Sequence, residues 1–246
     1  MLKPKLEVGN TLQALRVSFE EERGVIVRLT VAFAVLSALS ALLDVAGPAG
    51  FALSFGVAIL LGAAYNGMMT ALLCLPGKSE GFGELWAAIK PVLARLVWVS
   101  LISALLIVAG TFALIIPGIV IAVLISVSGQ AVVVERLKVL DAFGRSFNLV
   151  KDHFWRVLGY LAILFLFSVL MAALALVVAL PLAGGIAGAL VLTYLTNLLS
   201  TPILTVGWAV LYNQLVEIER MAEPEETESH PATEGPDEVE PPEPRF

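Results

Sequence analysis

The sequence predicts an all-α protein: a polytopic membrane bundle of six transmembrane helices with three amphipathic helices lying at its cytoplasmic face. Three observations carry that expectation. Apolar residues make up 59% of the 246 residues and charged residues only 15%; six apolar runs are each long enough to cross a bilayer; and Lys and Arg gather on one side of those runs. With a mean hydropathy of +0.91, the chain lies far outside the range of soluble domains, and lipid is its expected solvent.

The elements follow in order. An amphipathic stretch around Leu12–Phe19 comes first, then Glu20, Glu21 and Glu22, then the apolar run 25–46. Acidic flanking residues and a long apolar run do not fit a signal peptide, so this run is expected to remain as the first span. Runs 51–75, 92–115, 117–134, 155–180 and 186–216 supply the other five, each near the roughly 17–25 residues that a crossing helix needs. Residues 1–221 therefore form one membrane domain. The segment 222–246 is acidic and rich in Pro, with nine acidic residues and one Arg, and has too few apolar side chains to fold, so it is expected to be a disordered tail.

Charge orients the bundle. The connections at 47–50, around Pro117-Gly118 and at 181–185 contain no Lys or Arg, whereas basic residues such as Lys78, Lys90, Arg95, Arg136, Lys151 and Arg220 fall at the other ends of the spans. By the positive-inside rule that side is cytoplasmic, which places both termini inside. Cys74 is the only cysteine, so no intrachain disulfide forms.

"LDAFGRSFNLVKDHFW", residues 140–155, interrupts the apolar runs. At 100° per residue, Leu140, Phe143, Phe147, Val150 and Phe154 form an apolar stripe, with Asp141, Arg145, Asn148 and Asp152 nearly opposite. This pattern predicts an interfacial helix whose phenylalanines meet lipid or the bundle. Asp141 and Arg145 are spaced as an i,i+4 ion pair, and Lys151 is placed to snorkel. Phe143, Arg145, Phe147, Lys151, Phe154 and Trp155 are the candidate contacts with lipid or with a membrane-associated partner. Glu135-Arg136 reads as a boundary pair, or Glu135 braces the helix by accepting from its backbone or from Lys138. Aligning Leu12, Leu85 and Leu140 gives three pseudo-repeats of an amphipathic helix followed by a transmembrane hairpin, the middle copy disturbed by Pro91.

Pro117-Gly118 opening a span, Glu135 after it, then Ala142-Phe143-Gly144-Arg145-Ser146, Leu149 and Phe154-Trp155 resemble the membrane domain of glycerophosphoryl diester phosphodiesterases and its stand-alone bacterial integral membrane relatives. The resemblance is strongest over 80–170. It implies a helical domain of the bacterial cytoplasmic (inner) membrane and no reaction, since chemistry in the fused enzymes belongs to a separate soluble barrel.

The residues themselves point away from an enzyme. His153 and His230 are far apart, Asp44 and Glu217 lie at opposite ends of the spans, and no Ser has a base at a recognisable spacing, so neither a metal-ligand set nor an activated nucleophile is expected. No cofactor and no nucleic-acid partner is expected, and oligomeric state is not encoded in any motif. The expected role is non-enzymatic, organising lipid or a membrane-associated partner through the interfacial helices. The alternative is a transporter or channel for a small or amphiphilic solute, with Asn66, Thr70, Gln130, Asn197 and Thr201 as the polar pathway; uncharged polar residues of this kind also serve as contacts between helices.

Overall fold

The computed structural model describes residues 8–75, 81–113, 115–182 and 185–222. Among these there is no strand. Ten α-helices follow in order: α1 (Val8–Glu21), α2 (Arg23–Ser40), α3 (Pro48–Cys74), α4 (Phe82–Ile89), α5 (Leu93–Ala113), α6 (Ile115–Leu124), α7 (Ser128–Val134), α8 (Val139–Lys151), α9 (Phe154–Ala179) and α10 (Ile186–Ala222). Six stretches are long and apolar enough to cross a membrane: Arg23–Ala46, Pro48–Cys74, Leu93–Phe112, Ile116–Val134, Phe154–Ala179 and Ile186–Met221. The last runs beyond the 216 expected from apolarity alone, because Glu217, Glu219 and Arg220 continue the helix past the greasy part. The acidic tail from 223 onward, with His230, and Lys78 lie outside the described residues.

The order is amphipathic helix then hairpin, three times: α1 before α2 and α3, α4 before α5 and the α6–α7 pair, α8 before α9 and α10. Pro91 falls in the turn that ends α4 at Ile89, where its missing N–H costs no helical bond. The three aligned leucines do not share a role: Leu85 is 2% exposed and Leu140 78%. Each amphipathic helix is rotated to suit its own neighbours.

The first hairpin shows why the turns opposite the amphipathic helices can be so short. Gly47 adopts φ 77, a region open to glycine, and Pro48 starts α3 with its ring already set for the first helical turn. Ser54 Oγ donates to the Asp44 carboxylate across this turn. At the second hairpin, Gly118 lets α6 lie against α5: a Cβ there would stand 2.8 Å from the Thr111 backbone nitrogen. A small residue is required at such an approach.

Burial is uneven along the bundle. Tyr65, Met69, Leu72, Ile89, Val127, Val132, Tyr160 and Leu211 are enclosed near the end carrying α1, α4 and α8. Thr30 Oγ1 and Tyr65 Oη are 2.8 Å apart, with Phe33 stacked on Tyr65 at 4.6 Å. Toward the other end Leu105, Phe112, Ile116, Phe165 and Leu166 are exposed. Water would not tolerate so broad an apolar surface, and lipid does. α10 is central, packing against α9, α2 and α3, with α1 docked on it where Thr11 Oγ1 donates to Gln214.

Candidate functional site

The fourth span is broken. α6 stops at Leu124 and α7 starts at Ser128, leaving a three-residue turn at membrane depth. A break frees backbone groups that lipid cannot satisfy, so protein must. Ser146, on the buried face of α8, does this with one hydroxyl: Oγ donates to the Leu124 carbonyl at 2.8 Å and accepts from the Val127 N–H at 3.3 Å. Ser128 Oγ donates back to the Ile125 carbonyl at 2.8 Å.

A polar cluster then fixes α8 to the spans. Arg145 Nη1 and Nη2 donate to the two Glu219 oxygens at 2.5 and 2.6 Å, and Arg145 Nε donates to Glu135 at 2.8 and 3.1 Å. Tyr212 Oη donates to Glu135 at 2.6 Å. One guanidinium therefore ties α8 to the end of α7 and to α10. The Glu219 hydrogen bonds, opposed by partial burial and reinforced by Glu135, raise its pKa above the ordinary Arg value, so it is charged at any working pH. Just after α7 the chain turns at Arg136 in a left-handed conformation, φ 54, and the Arg136 carbonyl accepts from Arg95 Nη1 at 2.8 Å.

Next to the break lies a cavity of about 710 Å³ between α3, α5, the α6–α7 pair, α9 and α10. Its walls are mainly apolar, from Leu96, Val99, Ile107, Ile119, Val123, Leu161 and Phe165, and among the described residues no Asp, Glu, Lys, Arg or His lines it. The polar residues Asn66, Thr70, Ser100, Ser103, Ser126, Ser128, Gln130 and Trp208 interrupt those walls. Two buried side-chain atoms here have no partner among the described residues: Gln130 Oε1, on a residue 3% exposed, and Ser126 Oγ. A buried orphan acceptor is costly, on the order of 1–3 kcal/mol, and calls for a donor at that spot.

Of the residues expected to form a polar pathway, Asn66, Thr70 and Gln130 do line this cavity. Asn197 and Thr201 do not. They bond within α10, Asn197 Nδ2 to the Thr193 carbonyl at 2.9 Å and Thr201 Oγ1 to Asn197 Oδ1 at 3.3 Å, just before Pro202. Ser200 Oγ reaches across to the Ser168 carbonyl of α9 at 3.2 Å.

The candidate interfacial residues divide. Phe143 and Phe154 are half-buried against the core, with the Phe154 ring edge-on to Trp155 at 5.4 Å. Phe147 is 47% exposed and Trp155 80%. Lys151 Nζ donates to Asn148 Oδ1 at 3.2 Å. Arg145 departs from the sequence reading: it turns from Asp141, one turn away, to Glu135 and Glu219. A forked guanidinium gains more from two oxygens in parallel than from an exposed i,i+4 neighbour. Glu135 does brace α8, through that guanidinium rather than through the backbone or Lys138. The helix buries Ala142, Ser146, Leu149 and Val150, a face rotated from the phenylalanine stripe, so the apolar stripe is an edge between bundle and surroundings. Tyr212 and Glu219 were not singled out from sequence, and Ser146 entered only within the motif that carries the family resemblance. The one available signal was Ser146 on the same wheel face as Ala142 and Leu149, where a hydroxyl among small and apolar residues implies a specific acceptor.

Fold and cavity together define a polytopic all-helical membrane protein. Within that class the chain belongs to the family described as Domain of unknown function (DUF7847), whose profile matches residues 82–215, from α4 into α10. That stretch contains the broken span, α8, Gln130, Glu135, Arg145 and Tyr212. No curated protein and no solved structure matches the chain.

Proposed function

We propose that this is a non-enzymatic, multi-pass protein of a bacterial cytoplasmic membrane that organises lipid by holding a membrane-dissolved amphiphile in the cavity at its broken fourth span. Both termini and the three amphipathic helices face the cytoplasm in this reading, as the one-sided Lys and Arg residues favour. The resemblance of 80–170 to the membrane domain of glycerophosphoryl diester phosphodiesterases favours the same compartment. The observation that carries the lipid reading is Gln130 Oε1, buried without a partner on the wall of a largely apolar cavity. Discontinuous spans whose irregular backbone borders a cavity are a recurrent way to build ligand sites within membranes. A volume of about 710 Å³ falls within the roughly 300–1,000 Å³ of small-molecule sites.

A second reading places lipid organisation at α8 itself, and a specific observation favours it: Leu140, Phe147 and Trp155 are exposed together beside the charged end of the spans.

The test is extraction of the full chain with its surrounding lipid, followed by mass spectrometry of what stays bound after mild delipidation. Gly129 lines the cavity, and an added Cβ would meet nothing within 4 Å, so Gly129→Phe starts its side chain from open space and is expected to fill the cavity. A retained amphiphile lost in Gly129→Phe supports the cavity. Retention unaffected by that change refutes it.

A further inference from the structure

We infer that the occupant of the cavity is an uncharged amphiphile with an O–H or N–H donor in its head, lying head toward α8 and chain toward the opposite end of the bundle. This deepens the cavity reading above and rests on it.

Charge is excluded by the lining. A carboxylate or phosphate inside would meet only neutral amide, hydroxyl and indole groups, with no Lys, Arg or His among the described lining residues to pair with it. An ammonium would find no carboxylate. Moving an ion out of water without a partner costs far more than a neutral hydrogen bond returns. Gln130 Oε1 and Ser126 Oγ are enclosed just behind the wall, so a rotation of either side chain presents it to a hydroxyl or amide: Gln130 Oε1 accepts from such a head, and Ser126 Oγ donates as well as accepts.

The direction of the molecule follows from where the groups lie along the spans. Gln130 is five residues before Glu135, about 7–8 Å from the charged end at 1.5 Å per residue. Asn66 and Thr70 are in the last turns of α3, at the same end. Ile107 and Ile119 extend the wall away from it. Ile119, Ala162 and Phe165 both line the cavity and are exposed. The opening is therefore lateral, toward lipid, where an amphiphile already dissolved in the bilayer can slide in with its chain along the spans.

Trp208 lines the cavity, while Trp86, Trp98 and Trp155 are exposed. With those three replaced by Phe in the full chain, Trp208 fluorescence reports a brominated chain inside. The probes are a brominated long-chain alcohol and, on the same chain, the ionised carboxylate and the phosphate ester. Saturable quenching by the alcohol is expected, with the anions at least about tenfold weaker. Gln130→Leu should weaken the alcohol about tenfold, the worth of one buried hydrogen bond, while thermal stability holds or rises because the orphan atom is gone. Anions binding as well as the alcohol, or an alcohol affinity unchanged in Gln130→Leu, would overturn the inference; if Gly129→Phe still blocks all probes, the cavity reading survives. No saturable quenching by any chain would overturn both. Native mass spectrometry of the chain with its tryptophans intact, loaded with each probe, gives the same comparison independently.

Discussion

Arg145 and Glu219 meet fork to fork across 74 residues of sequence, with both nitrogen–oxygen distances at or below 2.6 Å. The same guanidinium holds Glu135, so the pair ties three elements. Arg145→Ala should lower stability by about 1–2 kcal/mol, a charged hydrogen-bond value reduced for partial exposure. Arg145→Lys should recover only part, since an ammonium cannot present two parallel donors. Thermal unfolding in detergent, run as a double-mutant cycle with Glu219→Ala, reads the coupling; strict additivity would mean the contact is idle.

Ser146→Ala leaves the Leu124 carbonyl and the Val127 N–H at membrane depth without their partner. A loss of about 1–3 kcal/mol is expected for the unsatisfied groups. Hydrogen exchange at the Val127 amide should quicken in the variant while amides in α2 stay as they were. Unchanged exchange at Val127 would show that the hydroxyl is dispensable to the break.

Two glycines should respond in opposite directions. Gly118→Val forces a side chain against the Thr111 backbone, so α5 and α6 must part and the yield of folded protein should fall. At Gly144, exposed on α8, an added Cβ meets nothing, and Gly144→Ala should stabilise by about 0.5–1 kcal/mol through helix propensity. Melting curves of the two variants beside the parent decide it; equal behaviour contradicts the packing described.

Topology has its own check. Reporter fusions after Gly50, Gly118 and Gly185 should read as external, and fusions after Lys78, Lys151 and Arg220 as cytoplasmic. A single reproducible reversal would break the proposed orientation.

The edge of α8 is tested by labelling. In a chain with Cys74→Ala, Phe147→Cys should be shielded from a water-soluble thiol reagent by lipid, while Asn148→Cys, on the polar side, reacts freely. Equal rates at the two positions in vesicles would remove the lipid-facing role of the phenylalanine edge.

Hydropathy and length made the six spans legible, because lipid imposes a single demand on every residue of a crossing helix. The break at 125–127 was not legible. No Pro or Gly lies within it, and its backbone is satisfied by Ser146, a residue whose contact is set by tertiary packing. Arg145 illustrates the same limit: its local spacing favours Asp141, yet the partner that holds it in a bidentate fork, Glu219, lies on another element. Asn66, Thr70 and Gln130 were recognisable as intramembrane polar residues, but periodicity within each helix does not say which polar residues of different helices share a cavity. Asn197 and Thr201 carry the same residue-level signal and spend it on their own helix.

The short turns at the far end of the bundle have a consequence for how the molecule is addressed. The connections there contain one charged residue, Asp44, and its carboxylate is already engaged by Ser54; Val45 and Phe51 beside it are bare hydrocarbon. Such a face is chemically mute toward water. A soluble protein approaching from that side meets few charged side chains to grip, whereas the side where Arg145, Glu135 and Glu219 stand offers several.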